Sequence, residues 1–517
     1  MTTWRRRAQL VVAVGAVGTL LLGGQALAAP GGNGWTSAGG DRANTRFAAN
    51  ESKISAANVS GLVKKWEFTT GGDVSATPAV DGQRVYFPDW AGNLYAVNRA
   101  TGKQVWRTSI SAYTGLTGDK ARATPAVTDT ALILGNQGPF GGGGAVFAVD
   151  KNTGALLWKT QVESHPAAII TQSATVFDGV VYIGTASQEE AFSAIVPDYP
   201  CCSFRGSMNA LDAATGRLLW KTYMTPVGYP GNAVWGSSPA IDTKRRTVYI
   251  ATGNNYDAPP GVLACVAAAS TPAGRLACID AADHFDSILA LDMRTGAIKW
   301  ATRALDFDAW TVDCIPFIGD GSNCPEPAGP DFDFGQAPNL YTVASGPSKG
   351  RELVGAGQKS GQYWALDPST GAVVWVTQAG PGGTAGGLQW GSATDGRRVY
   401  TANANSNLVP WNGATTGVWS GLDAATGQLL WETRPSQGGS TAGPVTTANG
   451  VVFGCSLDAL GHMYALNAAT GAELWRFASG GSCLSGAAIS NGTLYWGSGY
   501  SNFGFGTPNT KLFAFGL

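Results

Sequence analysis

The sequence of 517 residues predicts an all-β chain, an eight-bladed β-propeller with four antiparallel strands per blade. Three observations predict it. First, a string of an apolar run, Asp or Asn, Thr-Gly and a closing Trp recurs in seven complete copies. Second, two more strand signals precede most copies, as in SATPAV and RVYFPDW between Ser75 and Trp90. Third, an eighth copy is split between the two ends of the chain. Its third-strand half is KLFAFGL at Lys511–Leu517, and its fourth-strand half is LVKKWEF at Leu62–Phe68. Joining the halves closes the ring and removes a free sheet edge.

The complete copies run Leu94–Trp106, Val146–Trp158, Met208–Trp220, Ile288–Trp300, Tyr363–Trp375, Trp419–Trp431 and Met463–Trp475. In each, the apolar alternation before Asp or Asn reads as a half-buried strand. The acid or amide and the Thr-Gly make the turn, because glycine supplies a positive φ and the polar side chain ties the backbone. The returning strand ends in Trp, a large face for packing with an indole donor for a neighbouring carbonyl.

Ahead of the repeats, Arg5–Arg7, an apolar run from Leu10 to Leu22 and Ala26-Leu27-Ala28 predict a signal peptide over residues 1–28. The run is shorter than the ~18–20 residues that span a bilayer. The protein is therefore expected to be secreted or periplasmic, with no transmembrane domain after cleavage. Whether RRRAQL marks a twin-arginine route stays open. Residues 29–61 read as a Gly-rich N-terminal extension, a flap rather than a core element, and residues 62–517 as the propeller.

Charged residues make up 13% of the chain, about half the roughly 25% usual for soluble domains. A net charge of -1 excludes an electrostatic case for nucleic acid or an anionic membrane as partner. Neutral or polar substrates fit. Eight cysteines in an exported chain suggest disulfides, and proximity pairs Cys265 with Cys278, Cys314 with Cys324, and Cys455 with Cys483. That leaves Cys201 with Cys202. A bond between adjacent cysteines closes an eight-membered ring, a rare arrangement that usually has a task. No CxxCH string for covalent haem is present, so electrons would leave to a separate carrier.

The spacing of the closing Trp residues is widest in the middle of the chain. The excess lies in 187–204, 257–285 and 302–338, and long insertions on one face of a repeat array mark the working face. Glu189 and Glu190 follow one strand there, and Asn254 and Asn255 another. Their oxygens suit a hard cation such as calcium. Trp235 begins an inner strand beside the axis, and Asp308 and Asp313 lie in LDFDAWTVDC. Each has a plainer reading too: solvated carboxylates, turn amides, a core indole.

The string ALDAATGRLLW resembles the Trp-docking motif of the quinoprotein alcohol dehydrogenases, eight-bladed propellers that bind pyrroloquinoline quinone (PQQ). The resemblance covers essentially all of the mature chain. With the cysteine pair in the third blade, in PCCSFRG, it is most similar to the polyvinyl-alcohol dehydrogenase branch. The resemblance implies PQQ and Ca2+ as cofactors. It implies that Cys201 and Cys202 cover one face of the quinone and Trp235 the other, with Lys359, Arg122 and Thr171 as further contacts. Glu189, in VYIGTASQEE, and Asn254, in VYIATGN, are the implied metal ligands.

Two departures stand out. The family places its base just after the Trp of an HDxWD-like string, whereas FDAWTVD has Thr311 there, so Asp308 or Asp313 is expected as the catalytic base. An acidic contact expected in the first blade is Ser75, with Asp73 nearby. The implied activity is oxidation of secondary or polymeric alcohols such as polyvinyl alcohol, with electrons passed to a separate acceptor such as a cytochrome c. The competing expectation is a non-catalytic propeller of PQQ-like repeats that binds envelope proteins. Such a scaffold has no need of the cysteine pair, the Glu/Asn oxygens and the axial Trp together.

Overall fold

The computed structural model describes residues 34–517, so the signal peptide expected over 1–28 lies outside the described residues. Eight antiparallel sheets of four strands are present. Their first strands are Ala79–Asp81, Ala126–Val127, Thr175–Phe177, Ala240–Asp242, Asn339–Thr342, Ala393–Thr394, Thr446–Ala448 and Ala488–Ser490, which number blades 1 to 8. Adjacent first strands touch around the axis. Blade 8 is completed by Val63–Thr69, which pairs with Lys511–Gly516 in the register Val63 to Gly516 and Thr69 to Lys511. The ring is closed as the split repeat predicts.

The repeat string does in space what its residue types suggest. In the turn after Ala210, the Asp212 carboxylate accepts from the backbone N–H groups of Ala214 and Thr215 and from the Thr215 hydroxyl. Gly216 follows with φ +73°. Each glycine of this kind also lies flat against the Trp of the preceding blade: a Cβ on Gly154 would sit 2.8 Å from the Trp106 ring. The indole then donates to the next blade's turn, from Trp66 to Arg99 O at 3.0 Å, from Trp158 to Ala213 O at 3.0 Å, and from Trp220 to Met293 O at 3.0 Å. Trp475 finds Leu62 O at 3.1 Å, across the ring closure. Trp375 breaks the series. The equivalent carbonyl, Ala424 O, accepts from the Tyr341 hydroxyl, and the Trp375 indole is buried without a partner.

The cores lie between blades. Tyr182, Met208 and Ala210 of blade 3 pack with Ile241, Val248 and Leu289 of blade 4, all buried. Burying both faces of every sheet makes each interface one layer of the same core.

The N-terminal extension differs from the expected flap. Trp35 is only 1% exposed, and the stretch 35–46 threads across the axis. Its carbonyls accept from the first strands of six blades: Trp35 O from Val80, Thr36 O from Val127, Arg42 O from Ile241, Ala43 O from Leu340, Thr45 O from Thr394 and Arg46 O from Thr447. The reason is geometric. Eight short inner strands leave a ring of unpaired N–H groups around a channel, and buried donors require acceptors.

The connections between second and third strands, and those between blades, share the opposite face. They carry the long insertions and the helices Glu189–Ile195, Pro260–Ala268 and Pro272–Cys278. All four expected disulfides form. Cys265–Cys278 ties the last two helices together, and Cys314–Cys324 closes a loop between blades 4 and 5. Among the described residues no helix is long and apolar enough to cross a membrane.

Candidate active site

The insertion of blade 3 leaves its sheet through a two-stranded ladder, Ala168–Ile169 with Ala186–Ser187, and enters the helix Glu189–Ile195. Neighbouring glutamates then point to different tasks. Glu189 is buried and its carboxylate is saturated: it accepts from Ser203 N at 2.9 Å, Phe204 N at 2.7 Å and the Tyr199 hydroxyl at 3.2 Å. Burial raises its pKa, but His165 and the Phe204 N–H outweigh that and hold it below the usual value. Glu189 thus pins the segment just after Cys201–Cys202. The Glu190 carbonyl accepts from Ser193 Oγ at 2.7 Å, but its carboxylate accepts no hydrogen bond from a described side chain or backbone group. Burial pushes it up to about 7; Lys359 opposes that, and Asp333 and Asp308 add to it. It faces a cluster of acids.

That cluster is built from a string between blades 4 and 5 that sequence reasoning did not single out. In Pro330-Asp331-Phe332-Asp333-Phe334-Gly335 the acids alternate with aromatics, the period of extended chain with one polar and one apolar side. Phe334 enters the blade 4–5 core. Asp331 pairs with the Lys359 Nζ at 2.7 Å, and Asp333 lies 3.4 Å from the same nitrogen. Asp333 also accepts from Asn254 N at 2.7 Å and from the Trp235 indole at 2.9 Å. Burial pushes Asp331 well above the carboxylate range, with Lys359 opposing and Asp333 adding to it. Lys359 itself stays above its ordinary value, because Asp331 and Asp333 outweigh its burial. The signal that could have found this string is the alternation itself, just ahead of a first strand.

Asp308 stands behind Asp331 and accepts from Asp331 N at 3.1 Å and Phe332 N at 2.7 Å. It sits against Asp286, whose two carboxyl oxygens are buried without another partner. Burial pushes Asp308 up to about 6, with the Phe332 N–H opposing. Asp313 is elsewhere. Its oxygens accept from Gly321 N at 3.0 Å and Asn323 N at 2.6 Å, inside the loop closed by Cys314–Cys324, and Thr311 Oγ1 donates to Asn323 O at 3.0 Å. Thr311 and Asp313 therefore order that loop, whereas Asp308 orders the Asp331 backbone.

Asn254 donates to Trp310 O at 2.9 Å, and no described group donates to its Oδ1. Trp235 precedes the inner strand Ala240–Asp242 instead of opening it, and its ring carries the Lys359 Nζ at 5.7 Å. Trp235 and Cys202 border one apolar cluster of Ile169, Phe204, Ala233 and Tyr256, which places the disulfide and the indole on a common wall. Thr171 Oγ1 donates to Trp235 O at 3.0 Å.

Below this wall, toward the N-terminal segment, an axial cavity of about 50 Å³ is lined by Arg46, Ser75, Thr77, Arg122, Thr171 and Ser173, among others. The Arg122 guanidinium lies 4.0 Å over the Trp390 ring. Arg46 donates to Val445 O and Ala38 O, and burial lowers it to about 9. Asp73 does not reach in: it accepts from Ser501 N, Ser501 Oγ and Asn509 N.

The donor set fits the implied groups. Four buried acids, Asp286, Asp308, Asp331 and Asp333, and the half-buried Glu190 face the cations Lys359 and Arg303, and free oxygens remain on Glu190 and Asn254. An excess of buried negative charge with spare oxygen donors suits a divalent cation. Two guanidiniums among hydroxyls suit the carboxylates of a flat quinone.

A family model described as outer membrane protein assembly factor BamB matches residues 26–302 and 359–515. The polyvinylalcohol dehydrogenase of Sphingopyxis sp. (strain 113P3) is 31% identical over 91% of this chain and 72% of its own. The chain belongs to the PQQ-dependent alcohol dehydrogenase family. A second polyvinylalcohol dehydrogenase of this family, from Pseudomonas sp., is 30% identical over 91% of this chain and 73% of its own. The quinohemoprotein alcohol dehydrogenase from Comamonas testosteroni superimposes with a TM-score of 0.69 over 94% of this chain and 80% of that one, at 19% identity. That likeness is one of fold.

Proposed function

We propose that this family member oxidises secondary alcohols, the carbinols of polyvinyl alcohol included, with PQQ and Ca2+ bound, and passes electrons to a separate acceptor such as a cytochrome c. The observation that carries it is the Asp331–Lys359 pair, set beside the open oxygens of Glu190 and Asn254 and above the Trp235 ring.

PQQ, when bound, would supply the acceptor for the hydride leaving the carbinol carbon, and a cation beside it would supply Lewis acidity. The chain's own residues do the rest. Asp331 Oδ accepts the hydroxyl proton, and the Lys359 Nζ at 2.7 Å aims that oxygen and opposes the effect of its burial. Asp308 fixes the Asp331 backbone from behind, so the base cannot swing away. Asp333 anchors the indole of Trp235 and the backbone of Asn254, which aligns the ring with the cation ligands. Glu190 and Asn254 would hold the cation, and Glu189 holds the segment after Cys201–Cys202 against the apolar cluster that Trp235 also borders. Arg122 and Arg46 would receive the quinone carboxylates, with Thr171 lining the same cavity. Four disulfides and the predicted signal peptide support a compartment outside the cytoplasm.

The test is titration of the purified protein with PQQ and Ca2+, following quenching of tryptophan fluorescence and then dye reduction with secondary alcohols. Saturable quenching that requires both ligands, followed by turnover, is the expected result. Absence of quenching at any Ca2+ concentration would overturn the assignment.

A further inference from the structure

The mouth of the site carries an apolar rim that the proposed chemistry does not use. Three connections on one face build it. Phe140, in the blade 2 connection, is 57% exposed and meets Phe192 edge-on at 5.3 Å between ring centres. Phe192 belongs to the helix Glu189–Ile195, whose second residue is Glu190 and whose last residue, Ile195, is 60% exposed. On the far side, the loop closed by Cys314–Cys324 leans on that helix: Asn323 Nδ2 donates to Ser193 O at 2.9 Å. At its tip Phe317 is 104% exposed, with Ile318 at 50% beside it.

Folding does not account for this arrangement. Phe317 has φ +77°, a left-handed conformation that is a genuine outlier for a bulky side chain. The loop holds that conformation through Asp313, whose carboxylate takes the N–H groups of Gly321 and Asn323. A chain that spends a disulfide and a buried acid on presenting a phenyl ring to solvent is presenting it to something. Exposed apolar patches of this kind mark interaction sites.

The rim also restricts what that something is. Residues 137–143, 191–204 and 312–324 contain no Lys or Arg, and their charged members are Asp198, Asp313 and Asp320. Asp313 is buried, so the rim offers almost no charge to a charged protein partner. It complements an uncharged hydrocarbon backbone.

We propose that this rim, centred on Phe317, Ile318, Ile195 and Phe140, holds the chain of a neutral carbon-backbone polyol on either side of the carbinol being oxidised. The inference rests on the proposed alcohol oxidation and adds where a polymer is gripped. Contacts remote from the reacting carbon then favour long substrates over short ones at equal chemistry.

Two measurements test it separately from the reaction. In native gels cast with polyvinyl alcohol, the protein without PQQ is expected to be retarded relative to gels without polymer. A Phe317→Ser/Ile318→Ser variant, with the same melting temperature, is expected to run nearly free. In the PQQ-loaded enzyme, the ratio of kcat/KM on polyvinyl alcohol to kcat/KM on pentane-2,4-diol should fall on the order of ten-fold in that variant. No retardation of the wild-type protein, or an unchanged ratio, overturns the rim as a polymer site. Retardation without any diol oxidation leaves the rim standing and overturns the activity instead. Slower reduction of a cytochrome c by the variant, with the polymer ratio intact, assigns the rim to the electron acceptor and overturns the proposal.

Discussion

Aspartate plays opposite parts in two regions of this molecule. In the repeat turns, the carboxylates of Asp150 and Asp212 are held below their ordinary pKa, chiefly by the hydroxyls of Thr153 and Thr215 three residues on. Around the axis, burial pushes Asp286 and Asp331 well above it. The turn satisfies its own acid within five residues of chain. The axis collects acids from blades 3, 4 and 5 and leaves several of their oxygens without a protein partner. The difference separates what the propeller needs to stand from what it holds for a ligand. The repeat turns satisfy their acids from within, whereas the axial acids keep oxygens that no described group partners.

The largest effect on the axial side belongs to Asp331. Replacing it by Asn removes the proton acceptor and keeps the shape, so turnover should fall about 10³-fold. The melting temperature should fall, because the buried Lys359 is left with Asp333 alone as its ionic partner. Asp313→Asn, in the loop, should disturb stability more than kcat on a short alcohol. Steady-state kinetics and thermal melts on both variants decide between Asp331 and the residues expected around Thr311.

On the outer ring the counterpart is Gly154. A methyl group there meets the Trp106 ring at 2.8 Å, on a backbone with φ +74°. Gly154→Ala should cost about 2–4 kcal/mol in urea unfolding, with little change in kcat of the loaded enzyme that remains folded. A smaller difference comes from the indole donors. Trp158→Phe loses a hydrogen bond to Ala213 O, whereas Trp375→Phe loses none. The first should be the more destabilising by about 1 kcal/mol, and equal losses would show that the indole bond adds nothing to blade docking.

The same division governs what was legible in the sequence. Blade count, ring closure and all four cysteine pairings could be read because each rests on residues near one another in the chain, or on a pattern repeated seven times. The axial site brings together Glu190, Asn254, Asp331 and Lys359, which no local spacing relates. Between Glu189 and Glu190 the string is silent, since only the direction of one helix turn decides which faces the cluster. The Trp in FDAWTVD marks Asp308 and Asp313, while the acids that meet Lys359 lie about twenty residues further on, among phenylalanines. The N-terminal segment was unreadable for another reason: it is polar and Gly-rich, and its burial is driven by six blades' unpaired N–H groups and not by its own side chains.

The smallest expected effect also tests the comparison through pH. His284 lies in the blade 4 connection between Thr247–Ala251 and Ser287–Asp292, and burial lowers its pKa to about 4, with Arg303 adding to the shift and Asp280 opposing it. In the unfolded chain the imidazole protonates near 6.5, so the folded form binds fewer protons between the two values. Stability from this group is therefore present above pH ~6.5 and is lost as pH falls toward about 4. The turn acids give way only below the ordinary carboxylate value, and the raised axial acids work in the opposite direction, favouring the fold as pH falls. His284→Gln removes one slope and leaves the other two. The melting temperature of the wild-type protein should drop relative to that of His284→Gln between pH 6.5 and 4.5, by about 1 °C for a chain of this size. Parallel curves would mean that His284 is protonated in the fold.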